Sequence, residues 1–382
     1  MIHKYITIVG GELYNKGAQA MTFTVISELG NKYPNAKIIL LSSMDYNRSE
    51  NEKNIYNFEI LPWSIKDKSR ILRGHDTNLS KKLKNSILMV DISGFALSSQ
   101  RGFKPSIQYL LNIKIAKKFK LPMYLLPQSF GPFNYSRVQA FVVKSLLKKY
   151  IKYPKIYARE DAGLSEIKKY NLNAQRSYDI VLQSNKKYDL EKIFLNDAQS
   201  QVTSDTRKNS VAIIPNKKLA DHKVDINLNK IYKELVEKLL SLGKTVYLIF
   251  HSPEDREICE SIKQDFNNDN NVIYINQVVE CTNVETFLKE MDFIIASRYH
   301  SIIHAYKEFT PALVLGWAVK YKELLEAFGQ ERYLFQVQNS FVIKDLLDKV
   351  EELELNKSNE SSKIKVRLTE IQKHNVFDEI KI

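Results

Sequence analysis

The sequence predicts an α/β protein of two doubly wound, Rossmann-like units facing a cleft, followed by C-terminal helices. Three observations carry this expectation. Short apolar runs that read as buried strands alternate with longer segments of helical period, as parallel βαβ units require. Several of these runs end in a polar or charged residue, where the carboxyl edge of a parallel sheet would lie. The alternation is interrupted by a polar, charged stretch from Asn185 to Asn209 and then starts again. The expected division is residues 1–190 for the first unit, 191–209 for a linker, 210–335 for the second unit and 336–382 for terminal helices with scope to pack back on the first unit.

Tyr5–Val9 reads as the first strand. The loop Gly10-Gly11-Glu12-Leu13-Tyr14-Asn15-Lys16-Gly17-Ala18 follows, and then a helix over Ala18–Leu29 with Met21, Val25, Ile26 and Leu29 on one face. Ile38–Leu41 completes a β-loop-α-β opening. The loop has neither the glycine spacing of a dinucleotide site nor a Walker sequence. Asn15 and Gly17 are candidate contacts at a ligand-facing helix N-terminus; a tight βα turn would explain them equally. From Asp45 to Asn85 the chain is polar and irregular and is expected as an insertion or a mobile loop. Strands are expected at Ile87–Ile92, Met123–Leu126 and Lys155–Ala158, running out into Gly94, Gln128 and Arg159. Helices are expected over Gln108–Phe119, Val138–Tyr150 and Asp161–Tyr170.

In the second unit, strands are expected at Val211–Ile214, Thr245–Phe250, Val272–Ile275, Phe293–Ala296 and Pro311–Leu315. Three of them run out into Asn216, His251 and Arg298. Two terminal helices, Phe341–Leu355 and Lys363–Phe377, are expected on either side of a polar break at Asn356–Ser362.

Composition narrows the function classes. Forty-four per cent of residues are hydrophobic, enough for buried cores. The two cysteines, Cys259 and Cys281, exclude a disulfide scaffold and a cysteine-metal cluster. The net charge of +13 comes from lysines that read as scattered over amphipathic helices, such as Lys114, Lys117, Lys118 and Lys120, or Lys144, Lys148 and Lys149. A solvated helix face is the first reading of that pattern, and peripheral contact with anionic lipid headgroups the second. No zinc-finger spacing, RNP-type segment or basic zipper points to nucleic acid. Met1–Gly10 is too short for a signal peptide, and no apolar window is long enough to span a bilayer. The expected location is cytoplasmic, soluble or peripheral at the inner face of the cytoplasmic membrane.

The chemistry concentrates at Ser297-Arg298-Tyr299-His300, where a buried strand turns into a helix. Arginine offers a fixed cation whose forked donors suit phosphate or carboxylate. Histidine two residues on can gain or lose a proton near neutral pH. Locally, an arginine paired with an acid and a histidine at a helix start would explain the same residues. His251 is the second acid/base candidate. His300 and His304, four apart on a helix, would suit a metal; one functional and one structural histidine is the expected reading. No other ligand spacing is present, and neither metal nor cofactor is expected.

The ordered motifs resemble the polysaccharide pyruvyltransferase family. The loop Gly11–Ala20 is similar to that family's Asn-x-Gly-Ala opening. Pro127-Gln128-Ser129-Phe130-Gly131-Pro132 is similar to its Gly-Gln-Ser-Ile-Gly-Pro segment, and Tyr157-Ala158-Arg159-Glu160 to its Arg-Glu/Asp motif. Ser297-Arg298-Tyr299-His300-Ser301 resembles its Ser-Arg-Leu-His-Ser motif, and Leu315-Gly316-Trp317-Ala318-Val319-Lys320 its Gly-Tyr-x-x-Lys segment. The resemblance spans residues 5–330. Departures are Tyr299 in place of leucine, a shorter glycine run at Gly94, and Ile180 rather than proline after Asp179.

The resemblance implies a GT-B-like fold. It also implies transfer of a pyruvyl group from phosphoenolpyruvate to a sugar of a surface polysaccharide, capsule or exopolysaccharide, or of its lipid-linked precursor. The product would be a ketal, with phosphate released. By the same resemblance Arg159 and Arg298 would bind the donor, and His300 would act in the donor site or in catalysis. Tyr299 is expected beside them at the donor, and Asn15, Gly17, Gly94, Gln128, Asn216 and Lys320 are candidates for the cleft or the acceptor. A nucleotide-sugar glycosyltransferase is the alternative enzyme. A non-catalytic scaffold of polysaccharide assembly is the alternative outside enzymes.

Overall fold

The computed structural model describes residues 3–195, 206–222, 227–277, 280–337 and 342–382. It resolves into two compact units. One comprises Met1–Leu13, Ala18–Gln199 and His374–Ile382; the other comprises Tyr14–Gly17 and Ser200–Lys373. Of the expected linker, residues 196–205 lie outside the described part, and the segment before them carries a helical turn, Leu190–Ile193.

The first unit is built on seven parallel strands: β1 (Lys4–Val9), β2 (Ala36–Leu41), β3 (Glu59–Leu61), β4 (Ser86–Asp91), β5 (Met123–Gln128), β6 (Lys155–Ala158) and β7 (Gln175–Arg176), in the order β3-β2-β1-β4-β5-β6-β7. The strand order reverses between β1 and β4, so their carboxyl ends form a switch point. Ile6, Ile8, Val9, Leu88, Met89 and Val90 are all buried. This is why the central strands read as continuous apolar runs rather than alternating ones.

The second unit has six parallel strands: β8 (Ser210–Ile214), β9 (Thr245–Ile249), β10 (Val272–Ile275), β11 (Phe293–Ala296), β12 (Ala312–Gly316) and β13 (Leu334–Gln336), ordered β10-β9-β8-β11-β12-β13. Its switch point lies between β8 and β11. Their register pairs Ile214 with Ala296, which sets Asn216 and Arg298 level, each two residues beyond its strand.

Four expectations are corrected. The stretch from Asp45 to Asn85 is not an irregular insertion. It contains β3 and the helices Glu50–Lys53, Ile65–Leu72 and Asn78–Lys84, each opened by a capping box. Those elements are too short to show a period, but their Ser-x-x-Glu, Ser-x-x-Asp and Thr-x-x-Ser starts were readable. The edge strands β3, β7 and β13 were missed for the same reason of length. The first helix begins earlier than expected, at Lys16, because the Asn15 side chain caps it by accepting from the Gly17 amide at 3.0 Å.

The fourth correction is at the C-terminus. A single helix, Ile343–Ile371, runs through the expected break. Leu353, Ile364, Leu368 and Ile371 line its buried face, and Glu360 occupies the same stripe fully buried. Its carboxylate is answered by Gln330 Nε2 at 2.6 Å, Lys363 Nζ at 3.0 Å and the Arg332 guanidinium. A polar residue at a core position hid the helix; its partners lie elsewhere in the chain. The tail His374–Ile382 belongs to the first unit. There the Val376 amide donates to Gln183 Oε1 at 2.8 Å, and Lys155 pairs with Glu379 at 2.6 Å.

Candidate functional site

The structure gathers the candidate residues into two groups, one in each unit, both at strand carboxyl ends. In the first unit, Gly94, Gln128 and Arg159 follow or end the neighbouring strands β4, β5 and β6. The Ser129 amide donates to the Gly94 carbonyl at 2.8 Å, and the Arg159 amide to the Gln128 carbonyl at 2.9 Å. Gly94 takes φ +64°, a left-handed conformation that suits glycine. Gln128 is fully buried and donates to the Asp91 carbonyl at 3.3 Å.

Arg159 is 4% exposed and all three of its guanidinium nitrogens are engaged: Nε with Glu160 at 3.1 Å, Nη1 with Asp179 at 2.9 Å and Nη2 with the Ser129 hydroxyl at 2.9 Å. Asp179 in turn caps the turn Ile180–Gln183 by accepting from the Val181 amide at 3.0 Å.

In the second unit, Asn216, His251 and Arg298 follow β8, β9 and β11, three adjacent strands. Asn216 Nδ2 donates to the Ser297 carbonyl at 3.0 Å, which also accepts from the Tyr321 hydroxyl at 3.0 Å. These bonds fix the turn that presents Arg298. The guanidinium is held along one edge: Nε donates to Asp255 Oδ2 at 2.8 Å, and Nη2 to Asp255 Oδ1 at 2.5 Å and to Glu254 Oε1 at 2.6 Å. Asp255 is fully buried and is itself held by the Lys217 and Ser252 amides at 3.0 and 3.2 Å.

Burial pushes the Asp255 carboxyl up from its usual range while Arg298 pulls it back. Burial also works against the Arg298 charge, but Asp255 and Glu254 outweigh it and raise the arginine further. Among the described residues nothing bonds to Nη1 of Arg298. The arginine is therefore oriented by two carboxylates, with one donor nitrogen left over.

Tyr299 and His300 begin the helix Tyr299–Lys307, and His304 lies in its last turn. The Tyr299 ring stands edge-on to His300 at 5.5 Å, and the Lys320 ammonium lies 5.3 Å from the Tyr299 centroid. His300 is partly exposed, whereas His251 and His304 are buried. Gly17 lies against the His300 imidazole: a Cβ there would come within 2.3 Å of Cγ. Glycine at this position is a steric requirement of the histidine's placement. The Lys16 amide donates to the His251 carbonyl at 3.3 Å, tying the Tyr14–Gly17 segment to the same group.

Burial holds the His251 pKa well below the usual histidine value, and the nearby His304, His300, Arg298 and Lys16 add to the effect. His304 Nδ1 bonds to Glu285 at 2.9 Å, and Glu285 also pairs with Lys307 at 3.3 Å. These contacts hold the buried His304 ring in place. Among the described residues, no three His, Cys, Asp or Glu side chains come together as a metal site would require.

Sequence reasoning missed Glu254, Asp255 and Lys16 in the second unit, and Ser129, Glu160 and Asp179 in the first. The Ser-Pro-Glu-Asp run after His251 carried a signal, since Ser252 and Asp255 form a capping box.

Two parallel, doubly wound units with GT-B-like architecture define the class of fold. Solved structures agree. S. aureus MnaA bound to UDP matches at TM-score 0.56 and 13% identity, over 95% of this chain and 90% of that one. Methanocaldococcus jannaschii UDP-GlcNAc 2-epimerase with UDP-GlcNAc and UDP matches at 0.57 and 11%, over 92% of each. Medicago truncatula UGT71G1 with UDP-glucose matches at 0.52 and 10%, over 99% of this chain and 98% of that one. At these identities the likeness is one of fold. No curated protein matches the chain. The family model described as polysaccharide pyruvyl transferase matches residues 15–319, and the protein belongs to that family.

Proposed function

We propose that the protein transfers the pyruvyl group of phosphoenolpyruvate to a pair of hydroxyls on a sugar of a surface polysaccharide or its lipid-linked precursor. The observation that carries this reading is Arg298. It is locked by Asp255 and Glu254 along Nε and Nη2, and its Nη1 remains to meet an anion two residues from a partly exposed histidine. In this reading Nη1 meets the donor's carboxylate or phosphate by a charge-assisted bond. Tyr299 and Lys320 flank the donor. Asn216 and the Asn15–Gly17 loop shape the acceptor side. Arg159, whose three guanidinium nitrogens are taken up within the first unit, is left out of the donor set.

A proton is added to the methylene carbon of phosphoenolpyruvate while one sugar oxygen bonds to the adjacent carbon and loses its own proton. The second sugar hydroxyl then displaces phosphate from that carbon, and its proton goes to the departing phosphate. The products are a cyclic ketal bearing a methyl and a carboxylate group, and inorganic phosphate. His300 is the acid/base, a role worth about 10²–10⁴-fold in rate. His251 is the second candidate, and a weaker one, because burial and the surrounding positive charge oppose its taking up a proton.

A second reading, a glycosyltransferase using a nucleotide sugar, is favoured by the fold likeness to structures holding UDP or a UDP-sugar. One experiment separates the two. The protein is incubated with a panel of sugar acceptors and either phosphoenolpyruvate or UDP-sugars. Acceptor-dependent phosphate release supports the first reading. UDP release with no phosphate release would replace it with the second.

A further inference from the structure

The net charge is not spread over the chain. Between Ile92 and Arg159 there are thirteen Lys and Arg and no Asp or Glu, an excess equal to the whole net charge of +13. The composition had suggested scattered lysines; the excess instead belongs to one segment of the first unit. That segment contains the helices Phe103–Lys118 and Arg137–Tyr150, which pack together. Some of its cations are committed internally: Lys155 pairs with Glu379, Arg159 with Glu160 and Asp179, and Lys118 donates to the Ile71 and Leu72 carbonyls.

The helix Arg137–Tyr150 is different. Val143, Leu147 and Tyr150 bury its inner face. Its outer face carries Arg137, Val138, Phe141, Lys144, Lys148 and Lys149, all exposed, within an arc of roughly 140° at the helical period. Val138 is 77% and Phe141 75% exposed. None of the four cations on this face has an acidic partner within 4.0 Å among the described residues. An uncovered aromatic and a branched apolar side chain, ringed by unpaired cations, gain nothing from water. They do gain from an interface that is apolar inside and anionic at its surface.

We propose that the outer face of Arg137–Tyr150 docks on a bilayer carrying anionic phospholipids, with Phe141 and Val138 entering the headgroup boundary and the lysines meeting the phosphates. This goes beyond the transfer reaction and does not depend on it. A polyanion such as nucleic acid is a poorer fit, because it would leave Phe141 and Val138 in water.

Flotation of the full chain with vesicles tests the proposal. Phosphatidylcholine alone should recover little protein. Vesicles with roughly a third phosphatidylglycerol should recover most of it at low salt, and less as salt rises. Each lysine near an anionic surface strengthens partitioning about fivefold, so Lys144→Glu/Lys148→Glu/Lys149→Glu should weaken it at least a hundredfold. Val138→Ser/Phe141→Ser should weaken it about tenfold or more. Because these side chains are exposed, both variants should keep the wild-type thermal midpoint and wild-type phosphate release with a soluble acceptor. The indole introduced by Phe141→Trp should shift to the blue on adding anionic vesicles.

Wild-type protein that stays in the aqueous fraction would overturn the proposal. So would an unshifted indole together with undiminished binding by the Val138/Phe141 variant, a result that assigns the face to a soluble polyanion. Neither result bears on phosphate release with a soluble acceptor, which tests the transfer reaction separately.

Discussion

Arg159 and Arg298 stand at corresponding places in the two units. Each follows a short, largely buried strand and precedes a helix, and in sequence they are hard to tell apart. Their surroundings differ. Arg159 spends Nε, Nη1 and Nη2 on Glu160, Asp179 and Ser129. Arg298 spends Nε and Nη2 on Asp255 and Glu254, and among the described residues Nη1 has no bond. A strand-end arginine can be a hub that holds its own unit together, or a donor held ready for something else. The number of satisfied nitrogens distinguishes them.

The sharpest way to break the comparison is at the second unit. His300→Gln should lower kcat by about 10²–10⁴-fold. Arg298→Lys should lower kcat/KM by about 10²-fold, because lysine keeps the charge but cannot both grip Asp255 and present Nη1. Both are read by phosphate release under saturating and limiting phosphoenolpyruvate. If Arg298→Lys were as active as wild type, the fork geometry would have no part in donor binding.

Arg159→Ala should act chiefly on stability. It strands the buried carboxylates of Glu160 and Asp179, at a cost of about 3–5 kcal/mol, measured by denaturant unfolding. A variant of unchanged stability whose KM for phosphoenolpyruvate rises would instead make Arg159 a donor cation like Arg298, and would erase the contrast.

Gly17→Ala is expected to cost about tenfold in kcat with little change in unfolding midpoint, since the new Cβ, 2.3 Å from the His300 ring, must displace it. The smallest effect is a pH dependence. The folded pKa of His251 is depressed, so its contribution to stability is present above the unfolded histidine value of about 6.5 and is lost as pH falls below that. The loss is about 1.4 kcal/mol per pH unit until the folded pKa is reached. His251→Asn should flatten the fall in thermal midpoint between about pH 6.5 and 5. An unchanged slope would remove His251 as its source.

Much of the fold could be read from local pattern. The central strands are buried on both faces, so each shows as an uninterrupted apolar run, and the polar residue that ends it marks the sheet edge. The edge strands β3, β7 and β13 were not readable, being two or three residues at Gln175–Arg176, Glu59–Leu61 and Leu334–Gln336. The helix through Asn356–Ser362 was hidden because Glu360 fills a core position and is satisfied by Gln330 and Arg332, about thirty residues away in sequence. Of the site, the residues that end strands were found. The carboxylates that hold them were not.

By itself the sequence determined which residues lie at strand ends and which helices follow them, because both depend on periodicity and on turn chemistry within a few residues. It also placed Gly17 in the loop leading to the first helix, but did not show that a histidine far along the chain needs the space. Only the tertiary structure decided what each cation is paired with. Asp255 reaches Arg298 across forty-three positions, and Asp179 reaches Arg159 across twenty. Such pairings follow from which strands lie side by side in the sheet, and burial makes them matter, since a charge removed from water must find its partner wherever the fold has placed one.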